Sequence, residues 1–427
     1  MLSITDIFIL IFVLVLILLI TERYHRSVAA LIGALLTILF GVEYGLFHLP
    51  NILDELIDLI DINTILLAIG VMILAETIAR TGFFEFVGLW LAKFVGSSFR
   101  RVSMILIVLT VFITAFVTTI TAMVIMGALT ISLARRFKAD PSRTIIYEAI
   151  MTNVGGLTLM ISSIPNLIVA AHLNLGFIEF MRVSLPLTLF LTLASLPYIY
   201  PTIGGGGEPV KTLETDPWTV IEDKQMFYRA MLVFISAIIL FVFRDFIGVP
   251  LGLIAIGCAI AMLALGTREP ESIFSSIDWG TIFFLTAFYV IVGGLEKSGV
   301  LKLLASGVSA ISTLNAAIFP AVNMWICAAT SSIVDNIPVT LILIPVMDYV
   351  SKLADIPLRT LGWSMIFGAN LGGSITPIGS PASIIAIGIL RREGKPIGWG
   401  EWLKRCIPLV SIQLLLASFY ILFVLGA

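Results

Sequence analysis

The chain has 427 residues, of which 59% are hydrophobic and 12% charged, and its net charge is −2. Soluble domains carry roughly 25% charged residues, so with a mean hydropathy of +1.10 this is a polytopic membrane protein. Nucleic acid is excluded as a partner, because no basic face or run is available to neutralise phosphates.

Spans of about 17 to 25 apolar residues cross a bilayer core of roughly 30 Å. Residues 4–20 read as a retained first span: no basic stretch precedes them, and Thr21, Glu22 and Arg23 follow where a signal peptide would have small residues. Further spans fall at 28–44, 62–79 and 183–200, with a broken one at 144–173. Residues 83–95 carry Glu85 and Lys93 and read as interfacial. Residues 101–134 would make a helix of about 51 Å, longer than the core is thick, so they either tilt severely or fold back. Residues 201–225 hold a four-glycine run and read as a cytoplasmic linker; the glycines near Lys211 lack the GxxxxGK[ST] spacing of a phosphate loop. The second half has spans at 226–243, 249–265, 279–295 and 406–425, a broken one at 360–390, and a second over-long segment at 318–351. Cys258, Cys327 and Cys406 lie far apart in apolar runs, as packing residues do, without metal-ligand spacing.

The second half repeats the first. Asp61, Gly82, Val117 and Asn153 recur as Asp278, Gly299, Val334 and Asn370 at a constant offset of 217 (278 − 61). Residues 1–200 and 226–427 are therefore read as two repeats. Lysine and arginine concentrate on the cytoplasmic side of membrane proteins. With both over-long segments folded back as hairpins and the N-terminus outside, 19 of the 25 basic residues are inside and 6 outside; with both crossing once, the split is 15 to 10. The hairpin reading is adopted. The expected fold is all-α, with two inverted repeats of five transmembrane helices plus one re-entrant hairpin each, broken helices at mid-membrane and both termini extracellular. That architecture belongs to secondary transporters.

Chemistry is expected where backbone leaves the helix inside apolar sequence, since this is tolerated only in protein or beside a watery cavity. The first hairpin tip, with Thr118 and Thr119, aligns with Asp335 and Asn336. The first broken segment, with Asn153, Gly155, Gly156, Ser163 and Asn166, aligns with Asn370, Gly372, Gly373, Thr376, Ser380 and Ser383. Free carbonyls there suit cations and half-helix N-termini suit anions; close packing of small residues is the alternative. Asp335 stands alone in apolar sequence, where a carboxylate is costly unless paired, protonated or cation-bound. It is read as the coupling-ion site for H+ or Na+, with Na+ held by Asp335, Asn336 and Asn370; a hydrogen bond to its own hairpin is the alternative. Pro338 would start the second hairpin arm. Glu76 with Arg80, Glu148 with Arg143, and Asp348 with Lys352 read as interfacial pairs, His172 and Glu179 as solvated loop positions, and Trp399 and Trp402 as interfacial anchors.

At VDNIP and NLGGSITPIGSPAS the chain resembles the ion transporter superfamily, in the branch of arsenite permeases, NhaD-type Na+/H+ antiporters and the melanosomal P protein. The resemblance implies cargo held between hairpin tips and broken helices, often a dimer with elevator motion, and leaves an ATPase partner subunit open. Relatives that carry dicarboxylates typically show Ser-Asn-Thr tips, whereas here the tips are TTIT and DNIP. The function expected is ion-coupled secondary transport across the cytoplasmic membrane, Na+/H+ antiport-like or of arsenite or another anion. A di- or tricarboxylate symporter and an ion channel are the alternatives. An intramembrane enzyme lacks its partners, since Asp61 and Asp278 begin their spans and lie too far from Asp335 for a dyad. No cofactor is expected beyond the coupling ion.

Overall fold

In a computed structural model, residues 3–21, 23–95, 98–204, 216–312 and 316–425 are described. Glu22, Lys211 and most of the linker's glycine run lie outside the described residues. All the described secondary structure is helical. In the first half the helices are α1 (Ile4–Ile20), α2 (Arg26–Glu43), the short α3 (Ile52–Leu59), α4 (Ile62–Arg80), α5 (Phe83–Val95), α6 (Phe99–Thr114), α7 (Thr119–Phe137), α8 (Ser142–Gly155), α9 (Ile164–His172) and α10 (Phe177–Thr202). The second half has α11 (Lys224–Val242), α12 (Arg244–Ile247), α13 (Leu251–Leu265), α14 (Pro270–Ser276), α15 (Trp279–Lys297), α16 (Val300–Ser312), α17 (Phe319–Ser331), α18 (Asn336–Ala354), α19 (Leu358–Gly372), α20 (Pro381–Arg392) and α21 (Trp399–Tyr420).

Eight of these helices are long and apolar enough to cross a membrane, and α1 and α13 are shorter apolar helices. Large apolar side chains such as Leu35, Leu193, Leu232, Ile260 and Phe423 are exposed along them. Soluble monomers rarely show contiguous apolar surface of that extent; hydrocarbon is its natural cover. Cys258, Cys327 and Cys406 are buried and free.

Matching local chemistry produces matching ends. Asp61 and Asp278 cap α4 and α15 in the same way, each accepting from the amide and hydroxyl of the threonine three residues on, Thr64 and Thr281. Each such cap is worth about 1 kcal/mol. Thr118 caps α7 through the Thr121 amide at 3.2 Å, and Asp335 holds the same position before α18. Gly82 and Gly299 adopt φ +79° and +81°, and Lys138 and Asp355 adopt φ 49° and 52°. The glycines turn the chain between α4 and α5 and between α15 and α16 at no steric cost.

The halves interlock: α4 packs along α13 and α15 along α2, while α9 lies against α18 and α20 against α7. Polar contacts sort onto two ends of the bundle. At one end Arg135 pairs with Glu393 (2.8 Å), Lys395 with Asp140 (2.7 Å) and Arg268 with Asp223 (2.8 Å). Arg100 and Arg143 there reach the carbonyls of Ile203 and Thr202, and Arg80 that of Ser272. At the other end Lys297 pairs with Glu55 (2.8 Å), Arg359 with Glu179, and the Thr5 hydroxyl donates to the Ser298 carbonyl. Residues 99–137 form two helices that stop at Thr114, restart at Thr119 and pack against each other.

Several local readings are corrected. Glu148 is fully buried, accepting from Thr130 at 2.5 Å, and does not pair with Arg143. Asp348 pairs with His172 (2.9 Å) rather than Lys352, and Glu179 with Arg359, so His172 and Glu179 are not free loop positions. Trp402 is buried, with its indole N–H on the Ser374 carbonyl at 3.3 Å, so it is no interfacial anchor; Trp399 is exposed. Glu76 pairs with Arg80 at 3.0 Å as read.

Single cysteines introduced as Arg100→Cys and Arg136→Cys are expected to react with a membrane-impermeant maleimide from the same side of the membrane; labelling from opposite sides contradicts the folded-back α6–α7 pair.

Candidate functional site

The break between α8 and α9 faces the break between α19 and α20. Asn153 donates to the hydroxyls of Ser374 (2.8 Å) and Ser380 (3.3 Å). Asn370 accepts from Ser163 (2.8 Å) and donates to the side chain of Asn166 (3.0 Å). Asn166 in turn donates to the carbonyls of Gly156 (2.7 Å) and Leu159 (3.0 Å), which the break has freed. In the second half the Thr376 hydroxyl takes the Ser332 carbonyl and Ser380 caps α20 through the Ser383 amide. Buried backbone groups that leave the helix ladder need such partners; Asn166 supplies them within its own half, while Asn153 and Asn370 link the side chains of the two breaks across the halves.

The glycines matter through close approach. A Cβ on Gly155 would stand 2.6 Å from the Val111 carbonyl oxygen, and one on Gly372 would stand 2.3 Å from that of Ala328. Only glycine lets α8 and α19 lie this close to α6 and α17.

Beside the two breaks is a cavity of about 130 Å3. The first turns of four helices meet at it: Thr119 to Thr121 of α7, Ile164 and Pro165 of α9, Asn336 and Ile337 of α18, and Pro381 of α20. Each helix N-terminus carries roughly half a positive charge and unpaired amide donors. Ala68, Val71 and Met72 of α4 supply an apolar wall, and Glu76 and Ser276 line the part nearest Arg80.

One cation reaches this cavity. Arg26, the first residue of α2, places Nη1 at 2.6 Å from Asp335 Oδ2 and Nη2 at 2.8 Å from Asp278 Oδ2 and 2.5 Å from Thr281 Oγ1. The three charged side chains keep 22%, 24% and 33% of their surface for Arg26, Asp335 and Asp278, so the triad is half-buried and its energy lies between that of exposed and fully buried pairs. Asp335 is therefore not isolated, and Asp278 is not remote from it: one guanidinium joins them. The Ile337 amide adds a long contact of 3.5 Å to Asp335.

Of the residues singled out from the sequence, Thr118, Thr119, Asn153, Ser163, Asp335 and Asn336 line the cavity. Asn166, Asn370, Gly155, Gly156, Gly372, Gly373, Thr376, Ser380 and Ser383 lie in the breaks and do not line it. Asn370, whose side-chain oxygen accepts from Ser163 and whose amide donates to Asn166, does not line the cavity that Asp335 and Asn336 share. Sequence reasoning assigns no site role to Arg26 or Asp278. The D-x-x-T cap of Asp278 was the one local signal; nothing near Arg26 in sequence points to positions 278 and 335.

The sequence profile of the family described as CitMHS, citrate transporter, matches residues 16–368. An uncharacterized transporter of Mycobacterium tuberculosis is 26% identical over 421 residues, 96% of each chain. One of Synechocystis sp. is 25% identical over 441 residues, 96% of this chain and 95% of that one. The P protein of Mus musculus is 25% identical over 491 residues, covering 95% of this chain and 58% of the P protein. Among solved structures, the Alcanivorax borkumensis YdaH transporter, described as having an unusual topology, superposes with a TM-score of 0.62 at 15% identity over 90% of this chain and 89% of that one.

Arg26→Gln leaves two carboxylates without their cation and is expected to destabilise by about 1 to 3 kcal/mol, between the exposed and buried limits. Adding Asp335→Asn should recover part of that loss in a double-mutant cycle read by thermal unfolding; strict additivity contradicts the triad. Gly372→Ala should cost about 1–3 kcal/mol by overpacking, whereas Gly388→Ala, whose Cβ would meet nothing within 4 Å, should be near neutral.

Proposed function

The chain belongs to the CitMHS citrate transporter family and is a membrane transporter, and on that premise we propose that it is a secondary active transporter that carries a small anion by alternating access. The observation that carries this reading is the meeting of four helix N-termini at one cavity that also holds Arg26. Amide donors and positive helix ends attract anions, and the guanidinium fork matches a carboxylate in two bonds. A carboxylate-bearing anion of the citrate class satisfies that donor set, as the family's description suggests.

Coupling follows from the charge count of the triad. Asp335 and Asp278 together carry one negative charge more than Arg26 neutralises, and both compete with a cargo anion for its donors. A proton or Na+ taken by Asp335 removes the surplus charge and frees one arm of the guanidinium for the cargo. Cation and anion then enter together, as symport. A second reading has an observation of its own: the same surplus carboxylate suits a cation exchanged against a proton, as in NhaD-type antiport, with Arg26 holding the acid in place.

The rest of the mechanism rests on topology. We place the protein in the cytoplasmic membrane with both termini outside and two inverted repeats of five spans and a re-entrant hairpin, so that the end holding Arg80, Arg100, Arg135 and Arg143 faces the cytoplasm. The cavity, reaching toward Glu76 and Ser276, would then be open inward, and rocking of the interlocked halves would expose it outward.

The test is flux in proteoliposomes with citrate, arsenite or Na+ under an imposed pH gradient. Symport predicts citrate uptake with co-directional H+ or Na+ movement, loss of uptake by more than ten-fold in Arg26→Gln, and uptake without cation dependence, or none, in Asp335→Asn. Proton release driven by Na+ alone, with no response to anions, favours antiport. An Asp335→Asn variant with unchanged pH and ion dependence removes the carboxylate from the coupling mechanism.

A further inference from the structure

At the basic end of the bundle a second cavity, of about 560 Å3, shares no lining residue with the first. Three cations line it, Arg143 of α8 and Lys404 and Arg405 of α21, against one carboxylate, Glu401. Arg405 already holds Glu401 through Nη2 at 3.0 Å, which leaves two positive charges in excess. The Arg405 Nε–H is buried and has no partner; a buried donor left unsatisfied is costly, and a group accepting from it would relieve that cost.

Neutral donors complete the site. Tyr147, Tyr198 and Thr202 bring hydroxyls, with the Thr202 hydroxyl 2.7 Å from both the Tyr147 oxygen and the Ile199 carbonyl. Gly400 brings the first turn of α21, whose N-cap Gly398 supplies no side-chain bond. A Cβ at Gly400 would meet nothing within 4 Å, so the backbone there is open to a ligand. A guanidinium, an ammonium, hydroxyls and uncapped amides around one space are the donors that hold phosphate oxygens.

We infer that this cavity binds a phosphate-bearing anion, a lipid headgroup or free phosphate, at a site separate from that of the cargo. Trp399, exposed beside it on the same helix turn, suits the membrane interface, and basic pockets between transmembrane helices are where anionic headgroups bind. Occupancy has a route to the cargo site. The same first turns of α21 carry Trp402, whose indole holds the Ser374 carbonyl in the second break, and Ser374 accepts from Asn153. An anion that fixes the start of α21 therefore fixes the backbone against which the first break rests.

The test titrates the detergent-purified full chain, in phosphate-free buffer at constant ionic strength, with phosphatidylglycerol, with diacylglycerol as the phosphate-free control, and with inorganic phosphate, and reads the thermal unfolding midpoint. A saturable rise with phosphatidylglycerol or inorganic phosphate, and none with diacylglycerol, is expected; a rise with the lipid alone identifies the headgroup of a lipid as the ligand, and a rise with both identifies phosphate itself. Lys404→Gln should raise the half-saturating concentration about five-fold, the worth of one basic side chain at such a surface. Arg268→Gln, at the same end but outside the cavity, should leave it unchanged. No saturable shift with either anion overturns the inference, as does equal weakening by Lys404→Gln and Arg268→Gln, which would mean diffuse attraction to a basic face.

Discussion

Backbone that leaves the helix inside a bilayer must find partners within the protein, because hydrocarbon offers none. Most of the central architecture answers that demand. Two helices break, at Gly155 and at Gly372; Asn166 takes the carbonyls of Gly156 and Leu159 freed by the first, while Ser162 and Thr376, which lie in the two breaks, donate to the carbonyls of Ala115 and Ser332 at the ends of α6 and α17. Of the helices that restart, α20 has its Ser383 amide capped by Ser380, whereas α9 has no side-chain cap and its first amides stay uncovered. Those first turns face one cavity, so the requirement that creates the breaks also creates the donor set.

The same demand ties the halves together. Asn153 and Asn370 sit at equivalent positions, yet each satisfies the opposite break rather than its own, through Ser374 and Ser380 on one side and Ser163 and Asn166 on the other. With α9 against α18 and α20 against α7, neither half can close its core alone. Equivalent positions differ most where charge enters. Thr118 and Asp335 hold the same capping position, but only the second is a carboxylate, and Arg26 reaches only that one. The triad gives the cavity two unlike sides, one neutral and one charged.

Much of this was legible in the chain. Composition and run lengths specify a polytopic helical membrane protein, because a bilayer imposes span lengths that sequence displays directly. The constant offset of 217 marks the repeated half, and it survives in detail: the D-x-x-T caps at Asp61 and Asp278 and the left-handed glycines at Gly82 and Gly299 are local features, decided by neighbours three or four residues away. Glycine- and serine-rich runs with proline identify the breaks for the same reason. That Asn370 lies outside the cavity lining shared by Asp335 and Asn336 was not legible, because a residue's neighbours in sequence do not tell which way an amide turns once a second break is opposite it.

The sequence by itself thus determined the class, most of the long helices and the position of the breaks, all of which follow from local chemistry and from the solvent around the chain. Tertiary structure alone decided what the charges do. Arg26, Asp278 and Asp335 are separated by 252 and 309 positions, and their meeting depends on α2 lying along α15 and on the depth reached by the tip before α18. Asp335 looked solitary because pairing across such distances leaves no local trace. For Glu148 and Trp402, polar or amphipathic residue type suggested an interface, and packing of α8 and α21 against their neighbours buried both instead. Which partner a charge finds is settled by the arrangement of helices, and that arrangement comes from surfaces far apart in the chain.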